Sequence, residues 1–593
     1  MFTIHFPTAN YRPDLAITMR NNVDGWTEDI PGDYDIDEWR FVLDEDRYPA
    51  GMVFKFVLER TYWMIGPNLF LQPVADGDYR FTEDLVRFPP ITELVVENGY
   101  VQTLFFKPNL NENHEYDVIV IGSGIGGGVL ADQLSDLGVD VLVLEAGSYV
   151  FPGHVANLPR QHQVGKFDKH IWGLFDEFKV QNYVNGPDSQ YFGGQAFNLG
   201  GRSVFWGGLI PRMTSYELEA WPREAIRWYL EDAGYQRAED LMNRSPQPPS
   251  TYHQRIKQAL RTTLPEFNHF DAPVAVQYAN ESLATIPTGM FSTADLLMES
   301  RLTAGPQGNQ LLTINLNHAV TRLLTDNDRI AGVVAYDLIA NRDRTYHAKY
   351  VVLAAGTIES AKIALLSGLQ DRNGKIGVGI TDHPIFFTHF ALPANSPFFE
   401  TLANSKVLSQ HRAAAIGAHP YNMVLELGAD FNQGRYVDDD ILARHQREKG
   451  NTMLCELVFL FNAPLMDENR LQQFGPSFAK PVVTMHPSPA ADAFWNDIND
   501  RKNQMIEMLG GIPLAGEDLS LKRAGMGGVA HEVGTLRLSD RGDGVVDANL
   551  KFLSFTNLYA CDLSVFPSSP AANPTLTLAA LAIRLTDHLK AQL

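Results

Sequence analysis

Hydrophobic and polar positions change their rhythm along the chain. Up to about residue 107, short apolar or alternating runs recur: FTIHF, WRFVL, MVFKFVLE, YWMIG and NLFLQPV, separated by Gly, Pro, Asp and Asn. Such runs predict strands, and their spacing predicts a small β-sandwich. The polar, Pro-containing stretch FFKPNLNENHEYD predicts a linker. From residue 116 the rhythm becomes βαβ. YDVIVIG predicts a buried strand, GSGIGGGVLADQLSDLG a Gly-rich turn and amphipathic helix, and VDVLVLEAG a second buried strand. Residues 215–307 read as mostly helical, 311–356 as strands ending in YVVLAAG, and 385–515 as strands and aromatic-rich loops. The closing stretch NPTLTLAALAIRLTDHLKAQL predicts a buried helix with Pro574 in its first turn.

The βαβ segment carries the first chemistry. Gly122, Gly124 and Gly127 form GxGxxG between strand and helix. The first glycine permits the tight turn, the second lets a pyrophosphate approach the backbone, and the third lets helix and strand pack. The helix N-terminus turns its partial positive charge to the phosphates. Glu145, 18 residues beyond Gly127, stands where an acidic side chain accepts bonds from an adenosine ribose. The motif predicts a dinucleotide and does not by itself separate FAD from NAD.

Composition narrows the partners. At 593 residues the chain exceeds one core and suits two to four domains. Asp and Glu outnumber Lys and Arg by 70 to 48, which argues against nucleic acid, whose affinity needs cations on phosphates. Two cysteines, Cys455 and Cys561, make neither a disulfide framework nor a zinc site, and no histidine spacing suits a metal. No basic region precedes an apolar run at the start, and no apolar stretch approaches the roughly 20 residues that span a bilayer. The expectation is a cytoplasmic protein without a membrane partner.

Three further segments carry a family resemblance: NLGGRSVFWGGLIPR (198–212), VVLAAGTIESAKIALLSG (351–368), and the pair AHEVGTLRLSD (530–540) with NLYACDLSVFPSSPAANPTLTLAALAIRLTDHL (557–589). With the GSGIGGG loop they resemble the glucose-methanol-choline (GMC) flavoprotein oxidoreductases over roughly 113–593. The arrangement of His531 and Asn573 looks most like the pyranose oxidase branch and its bacterial sugar- and glycoside-oxidising relatives; cholesterol oxidases share the pair. The resemblance implies an α/β (α+β overall) architecture. A Rossmann-like FAD domain would occupy 108–220, 308–385 and 521–593, and an antiparallel-sheet substrate domain 221–307 and 386–520, with the β-sandwich of 1–107 ahead of both.

The resemblance also implies roles. The phosphate loop and Glu145 would hold the ADP half of FAD, and Gly200, Gly201 and Ser203 would line its flavin side. Val320 would offer backbone to the adenine; Ala355 and Gly356 would let backbone approach the adenosine. Asp562 would bond the ribityl or pyrophosphate region, and Asn573 and Thr575 would sit at the flavin ring. Phe205 occupies the GGxSxHW position where covalent relatives carry His, which implies noncovalent FAD. His531 would take the hydroxyl proton while hydride goes to flavin N5, and Asn573 would hold the substrate oxygen.

The implied activity is oxidation of a sugar or glycoside CH–OH to a ketone, by an oxidase or a dehydrogenase. Oxygen, a quinone or a protein all suit as electron acceptor, and an oligomer is compatible. A lipophilic alcohol such as a sterol, a lyase with redox-silent FAD, and a noncatalytic carbohydrate-binding protein are the alternatives. His383, in GITDHPIFF, reads as structural. Phe386, Phe387, Phe390, Phe398 and Phe399 read as core or as substrate-facing aromatics. The N-terminal segment resembles a starch-binding-type β-sandwich through Trp39, Trp63 and Asn68, with both Trp residues either packed or exposed for sugar stacking.

Overall fold

The structure, a computed structural model, describes residues 1–8, 11, 15–72, 77–88, 110–151, 153–157, 175, 177–244, 250–277, 289–303, 309–401, 403–412, 420–428, 439–473 and 475–593. The first part of the expected linker, 105–109, lies outside them. The chain forms two compact units, Met1–Asn111 with Asp337–Asp343, and Glu112–Tyr336 with Arg344–Leu593.

The first unit contains a β-sandwich. One sheet runs in the order Asp33–Asp35, Glu38–Leu43, Phe2–Pro7, Asp78–Arg80; the other runs Ile30–Pro31, Ile17–Asn21, Val53–Leu58, Tyr62–Trp63, with Leu69–Phe70 also on Val53–Leu58. Phe2, Ile4 and Phe6 alternate inward on one strand, as a half-buried strand requires. Phe6, Phe41, Phe54 and Phe56 are fully buried between the sheets, with Phe6 stacked on Phe56 at 5.2 Å. Trp39 belongs to this core and donates from Nε1 to the Tyr11 carbonyl at 2.6 Å, so it presents no ring for stacking. Trp63 is half-buried beside Trp26 and under the Arg20 guanidinium, while Asn68 is exposed.

The second unit holds two larger sheets. The first runs Leu312–Asn315, Val141–Leu144, Glu115–Ile121, Arg342–Leu353, Arg329–Asp337, His318–Asp326, with Leu558–Ala560 also pairing Arg342–Leu353. Its central pairs are parallel, with Val118 beside Val141 and Val141 beside Leu312. Val118–Ile121 and Val141–Leu144 are buried on both faces, which explains their unbroken apolar runs. The helix Ile125–Asp136 follows the first strand, and the terminal helix Thr575–Gln592 packs against it.

The other large sheet is antiparallel, in the order Phe267–Asp271, Ser405–His411, Tyr421–Leu427, Thr452–Phe461, Ile385–Pro393, Lys522–Arg523. Period-two alternation splits its side chains. Phe386, Phe390, Tyr421, Met423 and Leu425 face the helices Thr251–Thr263 and Trp495–Leu509. Phe387, Leu408, Val424 and Leu460 face the opposite way and share a cluster with Val529, with Leu209 packed against it. Phe386 and Phe390 are therefore core under helices, Phe398 and Phe399 pack against that core, and only Phe387 of the five lies on the opposite face.

Helices make up most of the described part of 215–307, with the edge strand Phe267–Asp271 between them. Phe267 and His269 alternate inward in an edge strand too short for its period to stand out. The helix Thr293–Thr303 packs against the helix Ile125–Asp136, so it sits with the nucleotide sheet although 221–307 reads as substrate domain. A Cβ on Gly128 would come within 2.6 Å of Thr293, so the contact depends on glycine.

Burial ranks these aromatics. Phe390→Ala is expected to cost about 3–5 kcal/mol, and Phe70→Ala, at 51% exposure, under about 0.5 kcal/mol. Paired denaturant curves check this; equal losses would contradict the assigned core.

Candidate active site

The phosphate loop is built by the absence of side chains. Gly122 has φ 101°, and a Cβ there would lie 2.5 Å from the Ala354 carbonyl. A Cβ on Gly127 would lie 2.1 Å from the Gly122 carbonyl, and one on Gly126 only 1.8 Å from that of Cys561. Gly124 differs: a Cβ there meets nothing within 4 Å, so this glycine faces open space beside the N-terminus of Ile125–Asp136. Gly201 lies across from it, its Cβ position 3.4 Å from Gly124 Cα, and Gly200 adopts φ 85°. The Ser203 hydroxyl donates to the Gly200 carbonyl at 2.6 Å and so holds the second glycine loop. Two glycine loops bordering open space at a helix N-terminus fit a pyrophosphate.

The flanking residues suit the rest of a dinucleotide. Glu145 is buried and accepts from Ser123 N and Oγ at 3.1 and 2.6 Å and from Gly147 N at 2.9 Å. Burial raises its pKa. His318 N donates to the Glu145 carbonyl at 2.9 Å, which sets the strand carrying Val320 against this acid. Ala355 N donates to Ser360 Oγ at 3.0 Å. Gly356, at φ 89°, also faces open space, and its N–H donates to Asp562 Oδ2 at 3.0 Å. Asp562 accepts from Ser360 Oγ and Ser564 N as well, and burial raises its pKa.

A second cluster lies on the C-terminal segments. His531 is half-buried, and its Nδ1 is 3.0 Å from Nε2 of the buried His383. The rings stand edge to face with centroids 5.0 Å apart. His383 Nδ1 donates to the Pro570 carbonyl at 2.6 Å. One histidine thus ties the segment of His531 to the turn that leads into Asn573. That amide is half-buried and makes no side-chain hydrogen bond among the described residues. Thr575, also half-buried, is the first residue of the terminal helix.

The supports of this cluster are polar and buried. Glu217 Oε1 accepts from Ala572 N at 2.6 Å, while its Oε2 accepts from Thr214 N and Oγ. Burial raises the Glu217 pKa. The Glu532 carboxylate meets Arg202 Nη1 at 2.7 Å, and its carbonyl accepts from Thr357 Oγ at 2.7 Å. Ala530 adopts φ 58°, a left-handed conformation costing about 1–2 kcal/mol in a non-glycine residue. Burial first, and the Glu532 carboxylate second, push the Asp382 pKa up to about 7. His383 was visible in the sequence only as a structural histidine; Glu217, Asp382 and Arg202 carried no signal there, because their partners are remote in sequence.

Among the described residues no group of three His, Cys, Asp or Glu side chains could hold a metal ion, and no helix is long and apolar enough to cross a membrane.

Two glycine loops beside a histidine and an amide that makes no side-chain bond among the described residues fit a dinucleotide-dependent oxidoreductase. Family comparison then gives the family. The N- and C-terminal models of GMC oxidoreductase match residues 298–385 and 490–582, so the chain carries both domains of this oxidoreductase family, and its relatives act on CH–OH donors. It is similar to paromamine 6'-oxidase of Streptomyces fradiae, 23% identical over 80% of this chain and 91% of the relative. It is similar to 2-methyl-1,2-propanediol dehydrogenase of Mycolicibacterium austroafricanum, 25% identical over 80% and 95%. C-glycoside 3-oxidase of Microbacterium trichothecenolyticum is 23% identical over 80% and 96%. Among solved structures, formate oxidase of Aspergillus oryzae superposes with TM-score 0.59 at 14% identity, over 81% of this chain and 99% of that one. Pyridoxine 4-oxidase from Mesorbium loti superposes with TM-score 0.55 at 16% identity, over 80% and 99%. The cofactor the cradle fits is FAD.

Gly124→Ala is expected to keep the thermal midpoint of the apoprotein and lower FAD affinity about tenfold or more, because the methyl enters the phosphate space. Gly126→Ala, striking the Cys561 carbonyl, is expected to lower the midpoint itself; the FAD-to-protein ratio and apoprotein melting separate the two. Asp382 has a folded pKa above its unfolded value, so the folded state binds the extra proton between about pH 4 and 7. Stability from this group is present at low pH and lost as pH rises through about 7. Relative to Asp382→Asn, the wild type should therefore gain stability as pH falls from 7 to 4. A flat difference across that range would contradict the assignment.

Proposed function

We propose that the protein oxidises a CH–OH group of a sugar or glycoside to a ketone, using noncovalently held FAD, with His531 and Asn573 at the substrate hydroxyl. The observation that carries the substrate class lies on the antiparallel sheet. By strand alternation Asn422 and Gln410 lie on the face of Leu408 and Val424, the face that packs with Val529, two residues before His531. Asn422 is 1% exposed, and both polar atoms of its amide lack a partner among the described residues. Gln410 Nε2, on its register partner, lacks one as well. A sterol ring would leave these groups unpaired at about 1–3 kcal/mol each; substrate hydroxyls would satisfy them. The names of two relatives, for paromamine and for C-glycosides, support the same reading.

The reaction removes a hydroxyl proton and a hydride from one carbon. FAD, when bound, supplies the hydride acceptor. His531 takes the proton, because a neutral imidazole has a pKa near operating pH. Asn573 donates from its amide to the substrate oxygen and does not titrate, so it orients without competing for the proton. Glu217 holds the turn before Asn573 through Ala572 N. The N-terminus of Thr575–Gln592 adds partial positive charge beside that amide. Phe205, buried against Phe151, Phe175 and Phe178, stands where covalent relatives carry His; a phenyl ring offers no nitrogen for a bond to the cofactor.

The test compares variants on glycosides and on lipophilic alcohols. His531→Ala is expected to keep its FAD and lose about 10²- to 10⁴-fold in kcat on a glycoside. Asn573→Ala should lose less, and Asn422→Leu should lower kcat/KM for the glycoside without lowering it for a long-chain alcohol. Turnover of alcohols with glycosides inert would overturn the substrate class; an unchanged rate in His531→Ala would remove the base.

A further inference from the structure

We propose that His383 is a positioning residue that sets the tautomer of His531, leaving Nε2 of His531 as the unprotonated nitrogen that faces the substrate hydroxyl. This rests on the reading of His531 as the base. The Pro570 carbonyl only accepts, so His383 Nδ1, 2.6 Å away, carries a hydrogen. His383 is 4% exposed, and burial disfavours the doubly protonated cation. The neutral ring protonated at Nδ1 has a lone pair at Nε2. That lone pair lies 3.0 Å from His531 Nδ1, which must supply the hydrogen between them. A neutral His531 with its proton at Nδ1 has its lone pair at Nε2.

The pair does more than choose a tautomer. When Nε2 of His531 takes a proton, the Nδ1–H bond to His383 becomes charge-assisted and strengthens, so the imidazolium is stabilised as it forms. No net proton leaves the pair in this step: the hydroxyl proton passes to Nε2, and the Nδ1 proton stays shared between the rings. The edge-to-face contact at 5.0 Å also limits rotation of the His531 ring. Charged neighbours among the described residues include Asp382 and Glu532, each adjacent in sequence to one histidine, and Arg202, which pairs with Glu532.

The test is magic-angle-spinning ¹⁵N NMR of the histidine-labelled holoenzyme, with His531 assigned by the signals lost in His531→Asn. The expected spectrum has His531 Nδ1 protonated and Nε2 unprotonated. His383→Gln, whose amide can accept from His531 and donate to Pro570, should keep that pattern and most of the turnover. His383→Leu should scramble the tautomer and lower kcat about 10- to 100-fold with little change in KM or FAD content. A wild-type spectrum with the proton on Nε2 and a bare Nδ1 overturns the proposal, as does an unchanged tautomer in His383→Leu. The spectrum reads the tautomer without turnover, so the expected pattern together with full activity in His531→Ala would sink the base and leave the tautomer assignment standing.

Discussion

The site depends on one close approach. The backbone at Gly126 meets the carbonyl of Cys561 so closely that a Cβ would sit 1.8 Å from that oxygen. This contact joins the start of the nucleotide helix to a segment 435 residues later. From Cys561 the chain runs to Asp562, to Pro570 and to Asn573. The glycine loops and the segment that carries Asn573 are therefore brought together along one bare stretch of helix. Any side chain at residue 126 would separate them.

Buried carboxylates then hold the loops that this contact brings together. Glu145 binds the backbone of Ser123 and Gly147, Asp562 that of Gly356 and Ser564, and Glu217 that of Ala572 and Thr214. Burial works against the charge of each, and the backbone N–H groups oppose that effect. Each carboxylate spans two chain segments or the two limbs of a turn. The loops around the cradle and around Asn573 are thus fixed by polar contacts where a packed apolar core would close the space.

The strand, glycine turn and helix of the GxGxxG loop were legible because their signal is local. Gly122, Gly124, Gly127 and Glu145 lie within one βαβ unit, and their spacing carries the geometry. The sandwich was legible for the same reason, through strands such as Phe2–Pro7 that alternate inward and outward. His383 read only as a structural histidine because its partners His531 and Pro570 lie 148 and 187 residues away. Glu217 was hidden behind a separation of 355. Trp39 and Phe386 could be read as exposed or buried until strand pairing assigned their faces. Residue type suggested what these side chains can do, and topology decided which of them do it.

Oxidation of a sugar-type hydroxyl with FAD is the activity proposed for this fold. The anaerobic absorption spectrum of the purified protein, recorded before and after addition of sugars, glycosides, and lipophilic alcohols, tests it most directly. The expected result is a flavin band that a sugar or glycoside bleaches. A flavin band that only lipophilic alcohols bleach, or a colourless protein that takes up no added FAD, would contradict it.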